Sequence, residues 1–367
     1  MKVFATASFK KDQPAGPNRA HGAFDGLRLL AASAVLFGHS YALARAGGAE
    51  PLLELTGGNL GLGEVAVLTF FAMSGYLVTQ SWISDPSPLR FMARRTLRIV
   101  PALALVIGVS FALIGPLTTQ LHLPDYYSNP HAWTYLAKAL IYPTQYGLPG
   151  VFEKNPYPIV VNGSLWTLRL EFGLYVVVAA LGYLGLSRFR WVNVALAALS
   201  WAAVAVLMQT GVLSGMPFHH QAVVLFLNAV PFFAGAALAQ SNLDSRIFFG
   251  ITAALVLATA LSIHTPYLTL LLIASLPFAT ILIARYGTCD LRRFGDYSYG
   301  IYLFAFPVQQ TVVYFLPDIE PVQLSLVAGV ATFACAFLSW HLVEKHALAL
   351  KPRRRKAVQT LMAAAEA

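Results

Sequence analysis

The chain has 367 residues, of which 57% are hydrophobic and only 11% charged, with a formal net charge of +9. That much apolar surface excludes a soluble globular protein, and long unbroken apolar runs exclude a transmembrane barrel, whose strands alternate. The expected fold class is an all-α, polytopic membrane helix bundle of about ten transmembrane helices.

In chain order, the first twenty residues are polar, with Lys10, Lys11, Pro14, Pro17 and Arg19, and lack the apolar core of a cleavable signal peptide. Residues 1–22 are therefore expected to be a cytoplasmic segment, and the first span an uncleaved anchor. Apolar windows of about 20 residues place spans near 23–44, 59–80, 97–118, 164–186, 191–211, 219–239, 247–264, 267–285, 297–316 and 321–344. Residues 23–348 form one membrane domain on this reading, and residues 349–367 a basic cytoplasmic tail. With the N-terminus inside, only Arg45, Lys138 and Lys154 of the 25 Lys and Arg fall outside, and Arg169 lies within a span. This bias puts both termini in the cytoplasm. The positive charge is then a topology signal and a contact with anionic membrane lipids, and nucleic acid is not an expected partner. The outer segment 119–163 is rich in Pro, Tyr, Asn and His. A loop of that length is functional or disordered, and its aromatic residues favour an ordered interfacial cap.

Polar residues inside the spans narrow the function. The first span reads FDGLRLLAASAVLFGHSYALA, with ten residues between Arg28 and His39. Eleven steps of about 100° return to nearly the same helix face, about 16 Å along the axis. Ionisable groups at such positions are costly and usually functional, the alternative being a snorkelling Arg and a His satisfied by packing. The second span ends TFFAMSGYLV, where Ser74 and Gly75 allow close helix approach. The segment DPSPLRFMARRTLRIVP reads as an inner loop entering the third span. Its Arg94, Arg95 and Arg98 are either positive-inside residues or a phosphate-binding cluster. The fourth span opens NGSLWTLRLEFGLY, with Arg169 and Glu171 on different sides of the helix and Trp166 and Tyr175 nearby. The ninth begins with the tyrosine-dense GDYSYGIYLFAFPVQQ. Counting rises of about 1.5 Å per residue puts His39 and Glu171 in the outer third of the membrane. Arg28, Arg94, Arg95, Arg98 and Ser74 fall in the inner third or at the inner surface. The histidines and the two cysteines, Cys289 and Cys335, show no metal-ligand spacing; both cysteines are expected free, and His122, His131, His219 and His220 solvated.

These ordered motifs, together with the terminal LVEK, resemble acyltransferase family 3, integral-membrane O-acyltransferases, over about residues 20–348. The resemblance implies transfer of an acyl group, commonly acetyl, from cytoplasmic acyl-CoA (acetyl-CoA in the common case) to a hydroxyl. The acceptor would be a bacterial surface glycan, a lipid or a small molecule, and the location a bacterial inner membrane. It implies that Arg28 and His39 are the essential pair, with His39 as general base on the acceptor hydroxyl. Arg94, Arg95 and Arg98 match its basic segment, and Glu171 its acidic position. On this reading Arg28, the three arginines and Ser74 hold the donor, while Trp166, Arg169 and Tyr175 meet the acceptor, and Glu171 orients the imidazole or binds the acceptor. No metal is expected. Leu68, Ala305 and His346 depart from the family pattern, which leaves roles at those positions open. The competing class is a transporter or flippase, since charged residues in spans also mark substrate pathways. Matching halves with paired broken helices are not evident in the sequence. A catalytically silent scaffold is the third reading.

Overall fold

The computed structural model describes residues 17–45, 48–138, 144–210, 219–287 and 295–352. Residues 1–16, Cys289, the side chain of His219 and the tail from residue 353 lie outside the described residues. The described chain is mostly helical, with an irregular segment over 144–164, and its only sheet-like pairings are two isolated bridges, Thr119 with Val151 and Gly147 with Val160.

The first helix, α1, runs Pro17–Leu43 and is followed by a single turn, α2 (Pro51–Leu55), and then by α3 (Leu62–Ser84). Helix α4 (Pro88–Val109) continues through a π-helical turn, Ser110–Ile114, into α5 (Gly115–Thr118). Two short helices, α6 (Leu123–Ser128) and α7 (Pro130–Lys138), form part of the cap expected between the third and fourth spans. There follow α8 (Leu165–Tyr183), α9 (Arg190–Thr210), α10 (His219–Ala239), α11 (Ser245–Leu261), α12 (Leu268–Tyr286) and α13 (Ser298–Phe315). Helix α14 (Pro321–Ser339) passes through a second π turn, Trp340–Glu344, into α15 (Lys345–Ala349). Among the described residues, eight helical stretches are long and apolar enough to cross a membrane, and α11 and α13 are shorter or less apolar members of the same bundle. The protein is a polytopic helical membrane bundle whose ten long helices fall on the ten sequence windows.

Its outward faces are apolar, as lipid requires: Leu30, Leu326 and Val330 are all exposed. Inside, small residues bring backbones together. A Cβ on Gly75 would collide with the Phe232 carbonyl, and one on Gly235 with the Ala72 carbonyl, so α3 and α10 touch backbone to backbone. This is the small-residue contact expected of the second span.

Two boundaries differ from the sequence reading, and both move functional residues. Helix α4 starts at Pro88, so the arginines stand on the helix and not in a loop. Proline at the first helical position has no orphan N–H to lose, and it nucleates the helix early. At the other end, the segment before α8 is drawn into the bundle. Asn155 Nδ2 donates to the carbonyl and Oε1 of Gln310 at 2.9 and 2.8 Å, and Gln310 Nε2 donates to the carbonyls of Tyr157 and Val160, both at 2.7 Å. Asn162 Nδ2 donates to the Leu303 carbonyl at 3.0 Å, and Asn162 and Ser164 are buried. Helix α8 therefore begins below the rim, and residues counted from Ser164 lie deeper than the count suggests.

Candidate active site

A cavity of about 480 Å³ lies between α1, α3, α4, α8 and α13. One end is lined by Asp25, Arg28, Arg95, Arg98, Asp296 and Lys351. Arg95 and Arg98 share a face of α4 because they are three residues apart. Arg98 Nη2 donates to Asp296 Oδ2 at 2.5 Å, and Arg28 Nη1 stands 3.5 Å from the same oxygen and 3.3 Å from Asp25 Oδ1. Burial alone would raise the Asp296 carboxyl, but the charges of Arg98 and Arg28, with hydrogen bonds from Ser298 and Arg98, hold it well below the usual carboxylate range. Arg95 differs: it forms no ion pair among the described residues. Its Nη2 reaches Ser81 Oγ at 3.4 Å, its Nε is buried without a partner, and its guanidinium lies 5.8 Å from the ring centroids of both Phe91 and Tyr175.

Arg94 does not line this cavity. It is turned the other way, with Nη1 donating to Asp85 Oδ2 at 2.6 Å, while Arg90 donates to the same carboxylate. The hydrogen bond from Arg90, reinforced by Arg94, keeps the buried Asp85 carboxyl well below its ordinary range. The clamp pins the start of α4 to the end of α3, and it removes Arg94 from the expected phosphate cluster.

Midway along the cavity, Ser74 Oγ donates to Glu171 Oε1 at 3.0 Å and lies 3.0 Å from the Tyr175 hydroxyl, which itself donates to Glu171. This corrects the assignment of Ser74 and Glu171 to separate membrane layers; they share one level because α8 starts below the rim. Glu171 and Tyr175, four residues apart, face the cavity, whereas Trp166 and Arg169 do not line it. Arg169 Nη1 instead donates to Thr144 Oγ1 at 3.5 Å. The far end of the cavity is closed by Val67, Phe70, Thr167 and Tyr302, with Thr167 Oγ1 2.5 Å from the Tyr302 hydroxyl.

His39 stands beyond that end. Gly38 faces Gly63, where a Cβ would lie 3.1 Å from the Gly63 nitrogen, and Val67 is one turn further along α3. The imidazole is thus about 6 Å, one turn, past the far wall. Its ring meets Phe306 edge-on at 5.2 Å, and its Nδ1 is buried without a partner among the described residues. No ion pair joins His39 to Glu171 among the described residues, since the carboxylate is engaged by Ser74 and Tyr175. The carboxylate beside the turn carrying His39 is Glu50. Glu50 accepts a hydrogen bond from the Leu62 amide through Oε1, and its Oε2 is buried and unpartnered. A Cβ on Gly38 would lie 2.9 Å from that oxygen.

Arg28, Ser74, Arg95, Arg98, Glu171 and Tyr175 are thus brought to one cavity, while His39 lies at its head and Arg94, Trp166 and Arg169 elsewhere. Asp25, Asp296, Lys351, Thr167 and Tyr302 also line it and were not singled out by sequence. Asp25 and Asp296 sit inside the motifs FDGLR and GDYSYG, where a carboxylate beside conspicuous arginines and tyrosines was the available signal.

The sequence matches, over residues 21–341, the family model described as "Acyltransferase domain". The chain belongs to acyltransferase family 3. It is an O-acyltransferase, acting on an acyl donor and a hydroxyl acceptor within a membrane. A protein of Shigella phage Sf6 named "O-acetyl transferase" is 30% identical over 338 residues, covering 89% of this acyltransferase and 95% of the relative. "Nodulation protein 10" of Rhizobium leguminosarum bv. viciae is 28% identical over 388 aligned positions, covering 92% and 97%. No solved structure matches.

Proposed function

We propose that the enzyme moves an acetyl group from acetyl-CoA, bound at the basic end of the cavity, to a hydroxyl of a surface glycan or lipid at the His39 end. The observation that carries this reading is the charge asymmetry of one continuous cavity. Arg95 has no ion pair at one end, and the other end stops a turn short of a half-buried imidazole whose Nδ1 is buried and unpartnered. Arg95, with Arg28 and Arg98 held in place by Asp296, offers donors for phosphate oxygens. The distance of about 16 Å from Arg28 to His39 suits an extended thioester arm lying along the cavity. His39 takes the proton of the acceptor hydroxyl as the hydroxyl oxygen bonds to the acyl carbon. The carbon–sulfur bond breaks and the thiolate leaves with the donor. Glu171 holds Ser74 and Tyr175 as a polar wall beside the arm. The name of the phage relative supports acetyl as the group, the Lys and Arg distribution supports cytoplasmic termini, and a bacterial inner membrane is what the family resemblance implies.

Mass spectrometry of base-labile esters on envelope glycans and lipids tests this. A deletion strain carrying the wild-type protein is compared with one carrying an equally expressed His39→Ala variant. An acetyl ester lost only with the variant is the expected result. Identical ester profiles would overturn the role of His39, and solute flux without ester formation would favour transport.

A further inference from the structure

Lys351 follows α15, in the segment that the sequence reading assigned to a basic cytoplasmic tail, yet it lines the cavity beside Arg28, Arg95 and Arg98. It forms no ion pair and no hydrogen bond among the described residues, and it is half-buried. The charge count at this end is uneven. Asp25 and Asp296 are engaged by Arg28 and Arg98, and the Glu171 carboxylate acts on Arg95, so four cations meet three carboxylates and Lys351 is the cation left over. A lysine with only a structural duty would snorkel towards water, extending its ammonium away from three guanidinium groups. An excess cation beside an arginine without an ion pair, facing one partly desolvated space, forms a site for a phosphate-bearing ligand.

We propose that Lys351 is a donor-binding residue, whose ammonium contacts a phosphate of the acyl-CoA alongside Arg95. This rests on the donor reading above and adds to it a residue from the C-terminal segment. The guanidinium of Arg95 supplies a planar fork and Lys351 a mobile point charge, two complementary ways to hold phosphate. Burial, and then the neighbouring Arg98, Arg95 and Arg28, bring the Lys351 ammonium down to about 8. In the ligand-free protein this cation is disfavoured by burial first and by like charge second, and a phosphate beside it would offset both.

The test is calorimetric binding of acetyl-CoA to the full-length protein in nanodiscs, for wild type, Lys351→Ala and Lys351→Arg. Using the thioester keeps a free thiol from titrating. At pH 7, Lys351→Ala is expected to bind about tenfold more weakly, with an unchanged ligand-free melting temperature, and Lys351→Arg to bind like wild type. Between pH 7 and pH 9 the wild-type affinity falls several-fold as the free ammonium deprotonates, and the Lys351→Arg affinity stays level. The charged groups that share the cavity with Lys351 are Asp25 and Arg28 of α1, Arg95 and Arg98 of α4, Glu171 of α8, and Asp296. All are common to both proteins, so the difference in slope belongs to Lys351. Equal pH slopes, or undiminished binding by Lys351→Ala, would overturn the proposal and leave the donor reading standing. Absence of acetyl-CoA binding by the wild type would overturn the donor reading and Lys351 with it.

Discussion

At Arg28 the first helix is surrounded by charge; eleven residues later, at His39, it is surrounded by rings and orphaned polar atoms. The basic end holds cations in place with carboxylates. Asp296 bridges Arg28 and Arg98 across three separate elements, and Asp85 clamps Arg90 and Arg94. The His39 end has an aromatic edge, an unpartnered imidazole nitrogen and an unpartnered Glu50 oxygen. On the proposed reading the difference separates binding from chemistry: charge matched within the protein would position the donor, and an imidazole with a spare nitrogen would take the proton.

The sharpest way to break this contrast is at the ring. His39→Ala is expected to lower kcat by about 10³-fold while leaving acetyl-CoA affinity within about twofold of wild type, as for a general base that takes no part in donor binding. Loss of donor binding in parallel would merge the two ends into one. The second change is Asp296→Ala, which takes the carboxylate from the half-buried Arg98 and leaves Arg28 with Asp25 alone. A stability loss of about 3 kcal/mol is expected, read as a lower melting temperature in detergent, with Asp296→Asn intermediate. Third, Arg95→Ala should raise the KM for acetyl-CoA about thirtyfold with little change in stability, because no carboxylate is left unpaired. Its neighbour gives the opposite pattern: Arg94→Ala should cost about 1 kcal/mol of stability and leave that KM unchanged, since Arg90 still holds Asp85. The smallest effect is acid sensitivity. The Asp85 carboxyl is depressed in the folded protein, so its contribution is complete above the unfolded value of about 4 and is lost as pH falls further. Melting temperature measured from pH 6 to pH 3 should decline below about pH 4 in wild type, and less steeply in Asp85→Asn.

The helices were legible because each carries its own apolar window, and no distant partner is needed to recognise one. The side chains of the cavity were legible where a charge or a conspicuous polar residue marks such a helix, as at Arg28, Glu171, Arg95, Arg98, Ser74 and Tyr175. Arg94 and Arg95 show the limit. They are adjacent in sequence and equal in charge, and a difference of about 100° around the helix sends one to a clamp and the other to the cavity. That outcome depends on where α4 starts, which the hydropathy window placed nine residues late. Asp296 bonds to an arginine 198 residues away, and one sequence carries no signal for a pairing of that span. Glu171 was misplaced in depth because its helix was assumed to begin at the surface, whereas Asn155, Asn162 and Gln310 draw the preceding segment inward.

The double glycine contact of α3 with α10 bears on which acyl groups the enzyme accepts. Two helices whose carbonyls rest on each other's Cα atoms slide or part only by losing the whole interface, so they behave as one stiff plank. Phe70, Phe71 and Ser74, which line the cavity, are all carried on it. The calibre of the bore on that side is consequently fixed by side-chain volume and not by breathing of the bundle. Chain-length tolerance then becomes a property that single substitutions at the two phenylalanines would reset, independently of the cations proposed to hold the donor and of the imidazole proposed to act as base.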